Sequence, residues 1–485
     1  MIKKKITAWI LVATILMMVT SGGCSSLTAK DEAASLTDDA GGEASGTGVS
    51  EGAYLYGSST ADATYSYGGS VSGDGTEASG MMSAKESAEM EAGTDFADTG
   101  LPVPEPDGAY IADKGEPDDE VITEPDEPII IEPVDPAAGM LTAGEWNDNE
   151  HYDFLKKLLA DGQNYDYAGL FTSWGLSPFN RLTIKVTFED GTPMSNAYVQ
   201  VYDTKGVSWS EDELLWASRT DNEGMTYAYY SIDGSSELPG TVVVYYQDGF
   251  CTYEVNSADL MDDSLITISF GSDAGEMQTL DLMLVVDTTG SMGDEIQYLQ
   301  KELEDVITRV KHDNANIPVR LSVNFYRDVE DDYIVRSYPF STDIEEELAY
   351  LRVENAYGGG DYEEAVEEAL DDAINNHVWN TDAVKIMFLV LDAPPHNTMQ
   401  VRQSLMSSVS AAADKGIRII PIAASGVDKS TEFLLRALAM ATGGTYTFLT
   451  NDSGIGNEHL EPTVGSYEVE YLNDLMVRII DEYLK

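Results

Sequence analysis

Five side chains in three short segments have the types and spacing that could bind a cation. Asp287, Thr289 and Ser291 occupy alternate positions of one segment, Asp361 follows a run of glycines, and Asp392 precedes two prolines. Together they offer carboxylate and hydroxyl oxygens and no sulfur. Such hard donors suit Mg²⁺ or Mn²⁺ with water completing an octahedron, or Ca²⁺ at a higher coordination number.

The surrounding pattern predicts the sheet that would position these side chains. Uninterrupted apolar runs at 282–286 and 386–391 are typical of strands buried on both faces of a parallel sheet, and the largely apolar segments 319–325 and 417–422 predict two more strands. Helical patterns alternate with them at 294–310, 362–376, 401–415 and 431–441. This alternation predicts a doubly wound, Rossmann-like α/β sheet. Because ligands bind at the carboxyl ends of such strands, we expect the five side chains to converge there.

Each segment also has a simpler interpretation in terms of local backbone chemistry. Thr289, Ser291 or Asp294 would cap the helix that follows. Asp361 with Glu364 fits a capping box, and Asp392 fits a turn. The occurrence of all three segments at successive strand ends favours the metal site over three unrelated caps.

The first segment also resembles a known family. Asp287-x-Thr289-x-Ser291 resembles the Asp-x-Ser/Thr-x-Ser signature of the von Willebrand factor type A (VWA) domain, over residues 277–485. The resemblance implies a metal-ion-dependent adhesion site (MIDAS), in which Thr289 and Ser291 bind the cation directly. Asp287 and Asp392 would bind it directly or through water, and a ligand carboxylate would complete the coordination. Asp361 stands where many members supply a threonine, and we expect it to replace that threonine.

Other chemistry finds little support in the sequence, and we expect no enzyme. The five histidines are scattered, and neither a His-Glu-x-x-His zinc helix nor a phosphate loop ending in Gly-Lys-Ser/Thr occurs. A strand ending in Asp287 also resembles haloacid-dehalogenase phosphatases, but these need an aspartate at position 289. His396 is expected to be a turn or positioning residue. Arg327-Asp328 is expected to be a structural ion pair, with support of the same sheet edge as the alternative.

Two further modules are predicted before the α/β domain. Residues 141–180 show one amphipathic helical pattern and are predicted to be a helical lead-in. Short alternating segments at 182–188, 197–201, 226–230, 241–246 and 265–270 predict an all-β sandwich over 181–272. The pattern around Glu189-Asp190-Gly191 resembles the carboxypeptidase-regulatory-like sandwiches of bacterial surface proteins, which implies a structural module.

The N-terminal region predicts export and an anchor. Residues 1–24 combine a lysine cluster, a short apolar run and small residues before Cys24, and they resemble a bacterial lipoprotein signal peptide. The resemblance implies a diacylated Cys24; ordinary cleavage and release is the alternative. Lipidation would leave Cys251 as a lone thiol, since the chain has two cysteines. Residues 25–140 are rich in Gly, Ser, Pro and acidic side chains, which predicts a disordered acidic tether.

The charge of the chain limits its partners. The formal net charge of −59 divides into +3 for residues 1–24, −23 for 25–140 and −39 for 141–485. Such acidity excludes nucleic-acid binding by counterion release and disfavours unaided docking on anionic lipid. Membrane contact is therefore expected through the lipid anchor only.

The sequence as a whole predicts an exported bacterial lipoprotein on the outer face of the cell membrane. We expect it to bind a protein or matrix ligand through a divalent cation, with Mg²⁺ expected first and Mn²⁺ or Ca²⁺ as alternatives. The rival hypothesis is a structural or envelope-assembly protein in which the metal only stabilises the fold. A metal-dependent hydrolase is a third.

Overall fold

The computed structural model describes residues 27–28, 135–160, 165–206, 208–261, 264–272 and 279–485. The predicted signal peptide (1–24), the lipid attachment point Cys24 and nearly all of the predicted tether (25–140) lie outside these residues. Leu27–Thr28 form a short strand antiparallel to Gly249 and Phe250, so the prediction of disorder does not hold for these two residues. None of the helices in the described part of the chain is both long and apolar enough to cross a bilayer.

Strands and helices are numbered in chain order. The strands are β1 (Leu27–Thr28), β2 (Thr142–Trp146), β3 (Leu182–Thr187), β4 (Tyr198–Tyr202), β5 (Leu214–Arg219), β6 (Met225–Ala228), β7 (Thr241–Tyr246), β8 (Gly249–Glu254), β9 (Leu265–Ser269), β10 (Thr279–Asp287), β11 (Val319–Tyr326), β12 (Val335–Arg336), β13 (Ala383–Leu391), β14 (Ile417–Ala423), β15 (Tyr446–Leu449) and β16 (Glu470–Tyr471). The helices are α1 (Tyr152–Ala160), α2 (Tyr167–Ser173), α3 (Ile296–Asp313), α4 (Ile344–Val353), α5 (Val366–Asp371), α6 (Met399–Lys415), α7 (Lys429–Thr442) and α8 (Leu472–Leu484).

An eight-stranded sheet in the order β12-β11-β10-β13-β14-β15-β2-β16 forms the α/β unit. The neighbours from β11 to β15 run parallel, whereas β12 and β2 pair antiparallel. Along β10, Leu282, Leu284 and Val286 join the core that holds α3, α4 and α8. Met283 and Val285 join the opposite core with α5, α6 and α7. Helices cover both faces, which explains the uninterrupted apolar strands and confirms the predicted α/β class.

The lead-in differs from its prediction as a single helix. Thr142–Trp146 form strand β2, which pairs antiparallel with β15 and with β16. Two helices follow, α1 and α2. Residues 142–146 form a strand because the edge of β15 has backbone N–H and C=O groups that need a pairing partner. A distant edge of this kind leaves no trace in the local periodicity.

The all-β unit consists of two sheets, ordered β1-β8-β7-β4-β5 and β6-β3-β9, and the predicted sandwich is present. The predicted segments correspond to β3, β4, β6, β7 and β9. Ile184, Val199 and Val244 are among its fully buried side chains. Cys251 of β8 is buried and disulfide-bonded in the structure, in contrast to the lone thiol that lipidation of Cys24 would leave.

The sandwich packs against the α/β unit at the end of the sheet opposite the strand ends discussed below. Arg418, at the start of β14, donates from Nη2 to the carbonyl oxygen of Arg219 at 2.8 Å. Asn196 Nδ2 donates to the carbonyl oxygen of Thr381, just before β13, at 3.0 Å. These contacts lie at the amino ends of β13 and β14, so the sandwich leaves the carboxyl ends of these strands uncovered.

Candidate metal centre

The turn after β10 brings three of the predicted site residues together. Asp287 is the last residue of β10 and is fully buried. Its Oδ1 accepts hydrogen bonds from the Thr289 backbone N at 2.8 Å and from Thr289 Oγ1 at 2.7 Å. Thr289 Oγ1 lies 3.2 Å from Ser291 Oγ. The signature residues therefore form one hydrogen-bonded group, with Ser291 on its exposed side.

The capping interpretations do not describe these segments. Thr289 precedes the 3-10 turn Gly290–Asp294 but makes no side-chain cap, and neither does Glu295 before α3. Helix α5 begins at Val366 after Ala365, again without a side-chain cap. The oxygen atoms at these strand ends are therefore available for another role.

Asp392 follows β13, the strand beside β10, and is buried. Burial and then the negative charge of Asp287 raise the pKa of Asp392 to about 7, against a lowering hydrogen bond from Ser291. Burial also raises the pKa of Asp287 to about 6, although the hydrogen bonds from Thr289 lower it. The two carboxylates thus lie in one electrostatic neighbourhood, in which the positive charge of Arg327 lowers the pKa of Asp287 without offsetting its burial.

The glycine-rich turn packs directly on the signature segment. Gly358 and Gly359 have φ values of 90° and 73°, in the left-handed region that favours glycine. The Gly290 N donates to the Gly358 carbonyl oxygen at 3.0 Å, and the Gly359 N donates to Asp331 Oδ2 at 2.9 Å. A Cβ added at Gly359 would lie 3.3 Å from the Thr289 Cβ. The turn has no room for a side chain on this side.

Glu364 joins the site and was not predicted as a ligand. Glu364 is 2% exposed. Its burial and, to a smaller extent, the charges of Asp287, Asp328 and Asp392 raise its pKa to about 9. The Glu364 N donates to the Pro394 carbonyl oxygen at 2.9 Å, which ties it to the loop after Asp392. This long-range backbone contact positions the side chain, and the local sequence gives no sign of it.

Asp361 lies elsewhere along the same edge. It is exposed, and one of its carboxylate oxygens lies within 4.8 Å of ligand atoms of Asp328 and His396. His396 Nε2 is 3.1 Å from Asp328 Oδ1. Arg327 pairs with Glu354 at 3.3 Å and not with Asp328. His396 is therefore a partner of Asp328, and the ion pair expected for Arg327-Asp328 is wrong.

The buried carboxylates fit a cation. Asp287 Oδ2, Asp392 Oδ1 and Glu364 Oε2 are buried, and no side chain or backbone group of the described residues donates a hydrogen bond to them. Burying an ionised carboxylate is costly unless a proton or a cation compensates its charge. A divalent cation near them would compensate these charges, which already act on one another. The donors are all oxygen, which suits Mg²⁺, Mn²⁺ or Ca²⁺.

Comparison with known proteins identifies the α/β unit. Residues 281–454 match the von Willebrand factor A domain family, so a VWA domain is present. A predicted ariadne-like RING finger protein of Acanthamoeba polyphaga mimivirus is 30% identical over 131 residues, which are 27% of this chain and only 13% of that protein. The crystal structure of the conserved hypothetical protein BatB from Bacteroides thetaiotaomicron matches 42% of this chain and 98% of its own, at 12% identity and a TM-score of 0.30. A VWA domain is compatible with ligand binding or with assembly.

Proposed function

We propose that this chain is a cell-surface binding protein that holds a divalent cation at the carboxyl edge of its VWA domain and uses it to bind a ligand. One observation carries the proposal: three buried carboxylate oxygens, on Asp287, Asp392 and Glu364, lack hydrogen-bond donors. When bound, the cation would supply a positive charge that attracts an oxygen atom of the ligand. Mg²⁺ is the first candidate, and Mn²⁺ or Ca²⁺ the alternatives.

The residues of the chain would divide the work. Thr289 and Ser291 supply neutral hydroxyl oxygens, and Asp287, Asp392 and Glu364 supply charge. Ser291 lies on the exposed side of the group, so the ligand would approach there. Three carboxylates exceed the charge of one divalent cation, which weakens its pull on an acidic ligand. The acidic chain adds long-range repulsion. We therefore propose a protein or extracellular-matrix ligand whose carboxylate lies among basic groups.

The wider setting belongs to the same proposal. Acylation of Cys24 would anchor the chain to the outer face of a bacterial membrane, and the acidic segment 25–140 would hold the folded part away from the lipid. The function is recognition without covalent chemistry and without nucleic acid. The second candidate is an envelope-assembly protein whose cation only stabilises the fold. The buried third carboxylate, Glu364, favours this second candidate, because its negative charge reduces the positive charge that the cation could offer to a ligand.

The two candidates differ in whether binding needs the cation. We would measure binding of the chain to a panel of immobilised extracellular-matrix proteins in Mg²⁺, in EDTA, and in Mg²⁺ with excess acetate as a competing carboxylate. The adhesion proposal expects binding that EDTA, acetate and Asp287→Ala abolish. Asp313→Ala is the matched control, because Asp313 is an exposed acidic residue at the end of α3. Binding that is equal in Mg²⁺ and EDTA would contradict the proposal.

A further inference from the structure

A second group of metal-binding side chains lies beside the oxygen-only site. Asp328 follows β11, Asp361 follows the glycine-rich turn, and His396 follows β13. One ligand atom of each lies within 4.8 Å of the other two. Asp328 is 5% exposed, whereas Asp361 is exposed. The group is therefore closed on the protein side and open to solvent.

A buried, unpartnered carboxylate adjoins this group. Glu367, in the first turn of α5, is 7% exposed, and its Oε2 has no hydrogen-bond partner among the described residues. His396 and Asp328 are among the charged groups that act on it. Burial and the charges of Asp287, Asp328 and Asp392 all raise the pKa of Glu364, so Glu364 interacts electrostatically with both groups.

A simple ion pair does not account for this arrangement. A protonated His396 would supply one positive charge, while Asp328, Asp361 and Glu367 supply three negative ones. Arg327, the neighbouring cationic residue in the chain, is held by Glu354 and by the Asn355 carbonyl oxygen at 3.0 Å. The group therefore keeps an excess of negative charge that a divalent cation would reduce.

We propose that Asp328, Asp361 and His396 hold a second divalent cation, of the Zn²⁺, Co²⁺ or Mn²⁺ class, with the buried carboxylate of Glu367 nearby. An imidazole nitrogen with carboxylate oxygens and no sulfur is a ligand set of these metals, whereas Mg²⁺ prefers oxygen alone. The assignment is independent of the ligand-binding proposal. It makes Asp361 a ligand of the second cation and leaves Glu364 as the third carboxylate of the first.

Co²⁺ tests the site because nitrogen ligation changes its visible absorption. We would titrate the untagged chain with Co²⁺ in excess Mg²⁺ and compare wild type with His396→Gln, Asp361→Asn and Asp287→Ala. The proposal expects one Co²⁺ in wild type and in Asp287→Ala, and an affinity at least about tenfold lower in the other two variants. Asp361 is exposed, so Asp361→Asn tests the site even if His396→Gln fails to fold.

His312→Gln is the matched control. His312 is exposed and its Nδ1 lies 2.9 Å from Asp313 Oδ1, so it represents a surface histidine beside one carboxylate. It should bind Co²⁺ as the wild type does. The proposal is overturned if the wild-type protein binds no Co²⁺, or if the variants at His396 and Asp361 bind Co²⁺ as the wild type does. The group would then be an ion pair and not a metal site. Thermal stabilisation by Mg²⁺ that survives in His396→Gln would show that the first site is intact.

Discussion

Asp287, Asp392 and Glu364 each have one buried carboxylate oxygen that accepts no hydrogen bond from the described residues. Asp287 shows this most directly, because Thr289 donates two hydrogen bonds to Oδ1 while Oδ2 receives none. Two donors on one oxygen fix the direction of the carboxylate. Beside their burial, the charge of Asp287 raises the pKa of Asp392 and of Glu364, so the three carboxylates interact electrostatically. At the scale of residues, the site is therefore a set of carboxylate oxygens whose negative charge a bound cation would compensate.

The conformation of Gly359 gives a first prediction. Gly359→Ala forces an L side chain into the left-handed region, which costs about 1–2 kcal/mol, and its Cβ would lie 2.8 Å from Glu364 Oε1. Gly454→Ala is the control, since Gly454 has a φ of 66° and no atom within 4 Å of an added Cβ. We expect the free energy of unfolding from denaturant titration to fall further for Gly359→Ala. Equal losses would contradict the close contact with Glu364.

The signature residues could be predicted from sequence because their spacing is local. Asp287, Thr289 and Ser291 alternate within one turn, and an apolar strand precedes them. Glu364 could not be predicted, because the pairing of its backbone with the Pro394 loop brings it to the site. Asp361 shows the converse, since its place in the turn suggested a ligand of the first cation while the structure sets it beside Asp328 and His396.

At the scale of elements, adjacent parallel strands bring the site together. β10 pairs with both β11 and β13, so the loops that follow these three strands meet at one edge. The sequence predicts this convergence, because the apolar runs identify the strands and a parallel sheet aligns their carboxyl ends. The strand β2 was not predicted, because its pairing partner β15 lies about 300 residues later in the chain.

A buried ion pair fixes the lead-in to α7 and gives a second prediction. Arg436 Nε and Nη2 donate to Asp148 Oδ2 and Oδ1, each at 2.7 Å, and both side chains are buried. Arg436→Met leaves Asp148 uncompensated, while Glu432, the second carboxylate beside Arg436, keeps Lys429; the change should cost about 3–5 kcal/mol of unfolding free energy. The double variant Arg436→Met/Asp148→Leu should recover most of this loss in the same denaturant titration. A double variant as unstable as the single one would contradict the explanation.

Helix α4 gives a prediction on pH. Burial is the main cause that raises the pKa of Glu347 to about 7, even though the Val323 N donates to its Oε2 at 3.0 Å. An acid whose pKa is higher in the folded than in the unfolded state stabilises the fold at low pH. This contribution is lost as the pH rises from the unfolded value of 4.5 toward 7. We expect Glu347→Gln to gain about 1–3 kcal/mol over wild type across that window.

The control for this prediction is an exposed glutamate nearby. Glu345, in the same helix, is exposed and is not among the charges that shift the pKa of Glu347, so Glu345→Gln should follow the pH dependence of wild type. Unfolding free energies measured from pH 4 to pH 8 give the comparison. A difference between wild type and Glu347→Gln that does not change with pH would contradict the burial of an ionisable Glu347.

At the scale of the whole molecule, the sandwich and the site lie at opposite ends of the α/β sheet. The order of the two modules could be predicted from the switch between alternating and uninterrupted apolar runs. Their interface could not, because it depends on scattered pairs such as Tyr198 Oη, which donates to Asp414 Oδ1 at 2.5 Å. A spacer role for the sandwich is consistent with this placement, because the sandwich contacts the α/β unit at the end away from the candidate site.

The anchor gives a prediction about Cys24. We expect mature chain from a bacterial host to carry a diacylated Cys24, and Cys24→Ser to release the chain from the membrane fraction. Acylation uses the Cys24 sulfur and the chain has two cysteines, so the lipidated chain would carry Cys251 as a free thiol in place of the disulfide bond of the structure. Mass spectrometry of the N-terminal peptide separates the two outcomes. A peptide that links Cys24 to Cys251 would contradict the lipid anchor.

The central claim is that the VWA domain binds a divalent cation through Asp287 and its neighbours. Thermal unfolding of the chain in EDTA, Mg²⁺, Mn²⁺ and Ca²⁺, beside Asp287→Ala, tests it most directly. A cation at about 100 times its Kd should stabilise the native state by about 2.7 kcal/mol. We predict a rise in Tm with at least one of these cations in wild type and none from Mg²⁺ in Asp287→Ala. A folded wild-type protein whose Tm is the same in EDTA and in every cation would contradict the account.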